Sequence, residues 1–334
     1  MDAPPERSPP PDPTAPAWRR AIASSWPPLA GALVGVALRI VFSGRPNEPF
    51  HAMMGAFALL APVLVAVVTV YVAERKERRS WAYYFGAAAL ANMLFITGTL
   101  LVLIEGLICA IVAVPLFGLL GGIAGLVTGA ICRLTMRRGL VYCAAALPLL
   151  IGSFEQRIPL PNRIDTVTSS RVVAATPERI WAQLLDAPSI SAREIDAAWM
   201  YRIGAPLPLS AVTERSEPAL VRHIAMDRGV RFDQVATDWR EPSRVRWTYR
   251  FTEDSFPAGA LDDHVRIGGD YFDVLDTEYL LEPEAGGTRL TARMSYRVST
   301  HFNWYARPLA RLLVGNFEQA ALAFYANRAE AAGR

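Results

Sequence analysis

The 334-residue sequence predicts two fold classes in tandem: an all-α bundle of four to five membrane-spanning helices, then an α+β domain with an antiparallel sheet curved round a long C-terminal helix. Three observations carry this. Charged residues are sparse between about 27 and 154 in a chain that is 19% charged overall. From Ile164 the apolar pattern changes to a period of two, the signature of strands with one covered face. The chain then closes on a stripe at helical spacing over about 303–331.

The opening MDAPPERSPPPDPTAPA holds seven prolines before Trp18, and residues 1–25 are assigned to a disordered tail. Residues 26–155 are assigned to the membrane helices, with apolar runs at 27–43, 52–73, 81–104, 106–132 and 139–154. Crossing the hydrocarbon core takes roughly 20 helical residues, with about 17–25 usual. The middle three runs meet that length, the first sits at its lower limit, and the fifth, with Pro148, is short. Arg19 and Arg20, the ERKERR cluster at 74–79, and Arg133, Arg137 and Arg138 fall on one side if the runs alternate. The positive-inside rule makes that side cytoplasmic. The chain is thus expected in the inner membrane as a multi-pass protein with a cytoplasmic N-terminus. Its C-terminal domain lies outside the cytoplasm if the fifth run spans, which is the reading taken.

Within the fourth run, Gly118/Gly122, Gly121/Gly125 and Gly125/Gly129 are each four apart, a spacing that lets helix backbones approach closely in lipid. Intramolecular helix packing is the expected use. Arg39 and Glu105 fall near one surface, where snorkelling or a mutual ion pair explains both without a transport role.

After a linker at 156–163, IDTVTSSRVVAA reads as a first strand. In VVAATPERIWAQLLDAP, residues 172–188, Thr176 stands at an N-cap, Pro177 opens a helix, and Ile180, Trp181, Leu184 and Leu185 share its buried face. A second short helix is expected in SISAREI. RVRWTYRF at 244–251 and GTRLTARMSYRV at 287–298 alternate strictly, and EAGG at 284–287 marks a hairpin. Tyr305, Leu309, Leu312, Leu313, Phe317, Ala320, Ala321 and Phe324 form the expected buried stripe of the last helix.

VVAATPERIWAQLLDAP, GGTRLTARMSYRV and the closing helix together resemble the SRPBCC superfamily, which joins START lipid-transfer domains, polyketide cyclases and pollen-allergen-like proteins in the helix-grip fold. The resemblance covers residues of about 164–331, half of the chain. It implies a sheet–helix cavity for a hydrophobic or amphipathic molecule. It does not name that molecule, because one scaffold hosts several chemistries.

Residue parity points to the lining. Arg222 shares a face with Leu220, Ile224 and Met226, so a guanidinium is expected inside the sheet. A buried charge needs a partner, and Glu194, Gln234 and Asp273 are the candidates. In the functional reading Arg222 anchors an anionic or carbonyl-bearing head group; otherwise it closes one end of the sheet in a structural ion pair. Phe232, Trp247, Tyr249, Phe251, Tyr296, Phe317 and Phe324 complete the expected ligand-binding set with Arg222 and Asp273, and Trp199 and Met200 are placed at the entrance.

No catalytic residue, metal site or cofactor is assigned. The histidines lack metal-ligand spacing and read as surface groups, and the chain has neither a Gly-x-Ser-x-Gly elbow nor a phosphate-binding glycine loop. A net charge of +3 gives nucleic-acid binding no support. The expected partner is a membrane lipid or hydrophobic small molecule. The rivals are a polyketide cyclase/dehydrase-like enzyme, with Asp273, Glu194 or Glu278 as its acid or base, and a ligand-sensing or structural membrane protein. Sequence assigns neither a ligand identity nor an oligomeric state.

Overall fold

The computed structural model describes residues 17–45, 48–135, 139–216 and 218–332. The proline-rich tail up to residue 16, Arg137 and Arg138 lie outside the described residues. The chain divides into two compact units, one holding the N-terminal helices and one running from Leu160.

The first unit contains α1 (Ala17–Val41), α2 (Gly55–Glu74), α3 (Trp81–Leu101), α4 (Leu107–Leu134) and α5 (Gly139–Glu155). Helix α1 begins at Ala17, inside the stretch assigned to the tail, and continues through Pro27 and Pro28. Three helices, α2, α3 and α4, are long and apolar enough to cross a membrane; the apolar parts of the other two, Ser25–Val41 and Val141–Glu155, are shorter. Ser80 caps α3, its hydroxyl accepting from the Tyr83 N–H at 3.2 Å. The first two amides of α2 are satisfied by Glu155 at the end of α5, which accepts from Gly55 and from Ala56 at 2.5 and 2.7 Å. A carboxylate at a helix N-terminus is favourable for both hydrogen bonding and the helix dipole. Arg39 and Glu105 form the expected ion pair at 2.5 Å, and Arg39 also donates to the Phe42 carbonyl at 2.8 Å.

The spaced glycines pack α4 on α3. A Cβ on Gly125 would stand 2.3 Å from the Tyr84 carbonyl oxygen, and one on Gly129 would stand 2.2 Å from the Tyr84 ring. Because a backbone carbonyl cannot yield as a side chain can, Gly125→Val is expected to destabilise the bundle by about 1–3 kcal/mol, the usual cost of overpacking. The check is the thermal midpoint of the full chain in detergent. Gly86→Ala, whose Cβ meets nothing within 4 Å inside α3, should not lower that midpoint and should raise it slightly, since alanine is the better helix former.

The second unit follows the order strand, short helices, six strands, long helix. Its elements are β1 (Arg163–Val173), α6 (Pro177–Leu185), a 3-10 turn at Ala192–Ile195, α7 (Trp199–Arg202), β2 (Pro208–Ser216), β3 (Ala219–Met226), β4 (Arg231–Arg240), β5 (Arg244–Arg250), β6 (Phe272–Glu284), β7 (Gly287–Val298) and α8 (Asn303–Ala331). The strands form one seven-stranded sheet in the order β1-β7-β6-β5-β4-β3-β2, with every pair antiparallel. The β6–β7 hairpin turns through Ala285 and Gly286, and Gly286 has φ of 89°. Thr176 occupies the N-cap of α6 with extended dihedrals, but its side chain makes no capping bond. Burial of Ile180, Trp181, Leu184 and Leu185 holds that helix instead.

One face of the sheet carries α8. Val245, Trp247, Tyr279, Leu281, Leu290 and Ala292 pack with Leu322, Phe324 and Tyr325 in the larger core. Val274, Met294, Tyr296 and Val298 pack with Val314 and Phe317 in a second. The opposite face is ionic. Asp233 accepts from Arg250 at 2.7 Å, Asp276 from Arg246 at 2.9 Å and Glu278 from Arg244 at 2.7 Å.

Two corrections to the sequence reading arise here. The buried face of α8 is rotated from the expected stripe: Leu312 is 54% exposed, whereas Glu318 and Tyr325 are buried. The helix packs on the sheet and also on α6 and α7, so an apolar stripe alone does not set its orientation. Asp273, expected in the lining, does not face α8 as Tyr279 does, because the pairing of β6 slips between Val274 and Asp276. A bulge at Leu275 inverts the alternation. Asp273 stands opposite Arg297 on the ionic face and accepts from the Gly268 N–H at 2.8 Å.

Candidate functional site

The site is built on Arg222 of β3. Strand alternation turns it to the helix-bearing face, and it is 4% exposed. Its Nη2 donates to the Tyr325 hydroxyl of α8 at 2.9 Å. Its guanidinium carbon lies 5.7 Å from the Trp247 ring centroid and 5.9 Å from that of Tyr325, within cation–π range. Its Nε has no hydrogen-bond partner. Burial works against the guanidinium charge, and the Tyr325, Tyr279 and Tyr249 oxygens counter it, holding the group firmly protonated. Among the described residues no carboxylate is paired with Arg222.

That last point corrects the expected partners. Gln234 does lie directly opposite in the β3–β4 register, with its buried Oε1 unpartnered. Glu194 instead binds Arg328 at 2.7 Å, and that guanidinium holds its carboxyl at about 2. Asp273 is on the other face. Glu278, the third acid considered for catalysis, is held by Arg244 at 2.7 Å and Arg293 at 3.7 Å.

Hydroxyl groups surround the guanidinium. The Tyr249 hydroxyl is 2.7 Å from Thr277 Oγ1, and burial pushes Tyr249 up to about 12. Burial raises Tyr201 and Tyr279 as well. The Tyr279 and Tyr325 rings meet edge to face at 5.6 Å. Beyond them runs an aromatic wall in which Phe232 stands 6.0 Å from Tyr249 and 5.5 Å from Phe251, while Tyr201 of α7 meets Phe317 of α8 at 6.5 Å.

The expected lining splits into two groups. Trp247, Tyr296 and Phe324 are buried in the close-packed cores. Phe232, Tyr249, Phe251 and Phe317 are only half-buried, together with Ile224, Gln234 and Tyr201. Trp199 and Met200 are half-buried, and the Trp199 amide donates to Asn316 of α8 at 2.9 Å. A separate surface cleft of about 560 Å³ lies between α6 and the β4–β5 turn, over Trp181, Leu185 and Pro242.

Tyr201, Tyr279, Tyr325 and Thr277 were missed by the sequence reading. Tyr279 was legible, since it alternates with Leu281. Tyr325 carried no such signal, because it directly follows Phe324, which already fitted the helical stripe. His264, expected at the surface, is largely buried, with its Nδ1 2.9 Å from Asp262 Oδ1.

No family model and no curated protein matches the chain. Several solved structures resemble it. The Thermus thermophilus protein TTHA0849 is 19% identical, covering 51% of this chain and all of its own, with a TM-score of 0.33. The Zhui aromatase/cyclase from a Streptomyces species is 14% identical over 52% of this chain and 97% of its own, with a TM-score of 0.33. The di-domain ARO/CYC BexL is 14% identical with a TM-score of 0.32, and the chain spans 61% of its length. These are likenesses of the chain and assign it no activity.

Proposed function

We propose that the C-terminal unit binds a hydrophobic or amphipathic small molecule between sheet and helix, with Arg222 receiving an anionic or carbonyl-bearing head group. One observation carries the reading: a buried guanidinium with no carboxylate partner among the described residues, with its Nε open and the Gln234 carbonyl oxygen unpartnered across the strand pair. A buried charge left in this state is costly unless a further group completes it. The half-buried rings of Phe232, Tyr249, Phe251 and Phe317 supply apolar surface beside it. Pockets of this kind combine mostly apolar walls with a few converging polar groups.

The apolar helices α2, α3 and α4 support a membrane setting for that unit. In this reading they anchor the chain in the inner membrane with the N-terminus in the cytoplasm, and the ligand is a lipid or a hydrophobic molecule drawn from the bilayer. A tether raises the local concentration of the domain at the lipid surface. The expected result with the full chain extracted in mild detergent is one apolar species retained through exchange into a second detergent, detected by mass spectrometry of the organic extract. Recovery of detergent alone, from protein shown to be folded, sinks the reading. Labelling of an Ala285→Cys variant with an impermeant maleimide in intact cells is expected to succeed if the domain faces outward; protection until lysis reverses the sidedness.

A further inference from the structure

Helix α8 runs alongside β1 and is fastened at both ends. Near its start, Arg307 donates to both carboxylate oxygens of Asp165 at 2.8 and 2.6 Å. Near its end, Glu330 accepts from the Ala174 amide at 3.1 Å. Midway lies Glu318, 1% exposed, with neither carboxyl oxygen in a hydrogen bond. Its surroundings are Val314 and Phe317 on one side and Leu322 on the other, with β1 and β7 beneath. The Ser169 hydroxyl and the Met294 backbone are close by without making a bond of normal geometry, and the buried Tyr296 hydroxyl has no partner.

Among the described residues no cation is paired with this acid. Arg311 and Arg307 stand seven and eleven residues back along α8, about 10 and 16 Å at 1.5 Å per residue, and Arg307 is committed to Asp165. On the sheet side, β7 offers Tyr296, and β1 offers Asp165 together with Arg163 and Arg171, which share the face of Ser169 but are exposed and form no ion pair with Glu318. On the other side, Glu178, Arg179 and Arg202 of α6 and α7 are exposed, and Glu194 holds Arg328. An ionised carboxylate here would be shut off from water with no ion-pair partner among the described residues.

We propose that Glu318 makes α8 a pH-sensitive latch: as the neutral acid it lets the middle of the helix lie on β1 and β7, and as the carboxylate it drives that segment off the sheet. Burial raises its carboxyl from an ordinary 4.5 to about 7, while Ser169 and the Met294 backbone ease it slightly down. The docked helix binds the proton more tightly than the lifted one. Docking is therefore at full strength below about 4.5, weakens roughly tenfold per pH unit as pH rises, and levels off above about 7. Helix α8 also carries Phe317 and Tyr325, so the latch would govern access to the Arg222 pocket. That clause alone rests on the ligand reading.

The test is hydrogen–deuterium exchange of the full chain in detergent, following α8 peptides and correcting for intrinsic exchange. Protection in α8 should fall on the order of a hundredfold between pH 5 and pH 8. In Glu318→Gln, which is neutral throughout, it should stay level. Equal protection of wild-type α8 at both values, or the same fall in Glu318→Gln, overturns the proposal. Should that variant not fold, infrared spectroscopy of wild-type protein carrying ¹³C-glutamate decides. A protonated carboxyl band present at pH 5.5 and lost by pH 8.5 is expected, and its absence at pH 5.5 is fatal. Neither readout involves a ligand, so an empty pocket would leave this result standing.

Discussion

Arg222→Met should weaken binding of the co-purified apolar molecule by about 10–100-fold while leaving the domain as stable as the wild type or more so. Hydrogen bonds to a charged group are worth roughly 1.5–3 kcal/mol, which sets the size of the binding loss. The stability side follows from the site's imbalance. The guanidinium is buried with one hydrogen bond, to Tyr325, and no carboxylate. Replacing buried charge by an apolar side chain of similar volume is often neutral, or stabilising by about 1–4 kcal/mol. Methionine fills the stem's volume and adapts to irregular surroundings. Binding is measured by titration of delipidated protein and stability by thermal unfolding. A variant that unfolds early yet binds normally would make Arg222 a structural group tying β3 to α8.

Trp247→Ala should cost about 3–5 kcal/mol, the range for removing a large buried aromatic side chain. The ring has no exposed surface and lies in the larger core, between Val245 and the helix residues Phe324 and Tyr325. Its Nε1 makes no hydrogen bond, so the loss is one of packing together with the ring's cation–π contact to Arg222. For a unit of this size, about 2–4 °C accompany each kcal/mol, giving a fall of roughly 6–20 °C in Tm. Phe251→Ala provides the contrast. Phe251 is half-buried, so its removal should cost less stability and more binding. Equal stability losses in the two variants would mean that the region of Phe232, Tyr249 and Phe251 is filled by side chains.

Much of this architecture was legible because local periodicity records it directly. Strict alternation in RVRWTYRF and GTRLTARMSYRV marked β5 and β7, and the glycine pair at 286–287 placed the hairpin between β6 and β7. The same counting assigned Arg222, Phe232, Trp247 and Tyr249 to the helix-bearing face. It failed at Asp273, because a single bulged residue reverses every later position in a strand. It failed again along α8, where the apolar pattern pointed to Leu312 and away from Glu318 and Tyr325.

The sequence by itself determined the order of elements, the helical character of the first half, the strand faces and an inward arginine. These depend on residues near one another in the chain, whose side-chain directions repeat at 2.0 or 3.6 residues. Only the tertiary structure decided what meets that arginine. It brought Tyr325 from the last helix, set Gln234 across the strand pair, sent Glu194 to Arg328, and left both carboxyl oxygens of Glu318 unbonded between helix and sheet. Such partnerships depend on the rotation of α8 and on one bulge in β6. Both are fixed by packing among distant segments, and no local period encodes them.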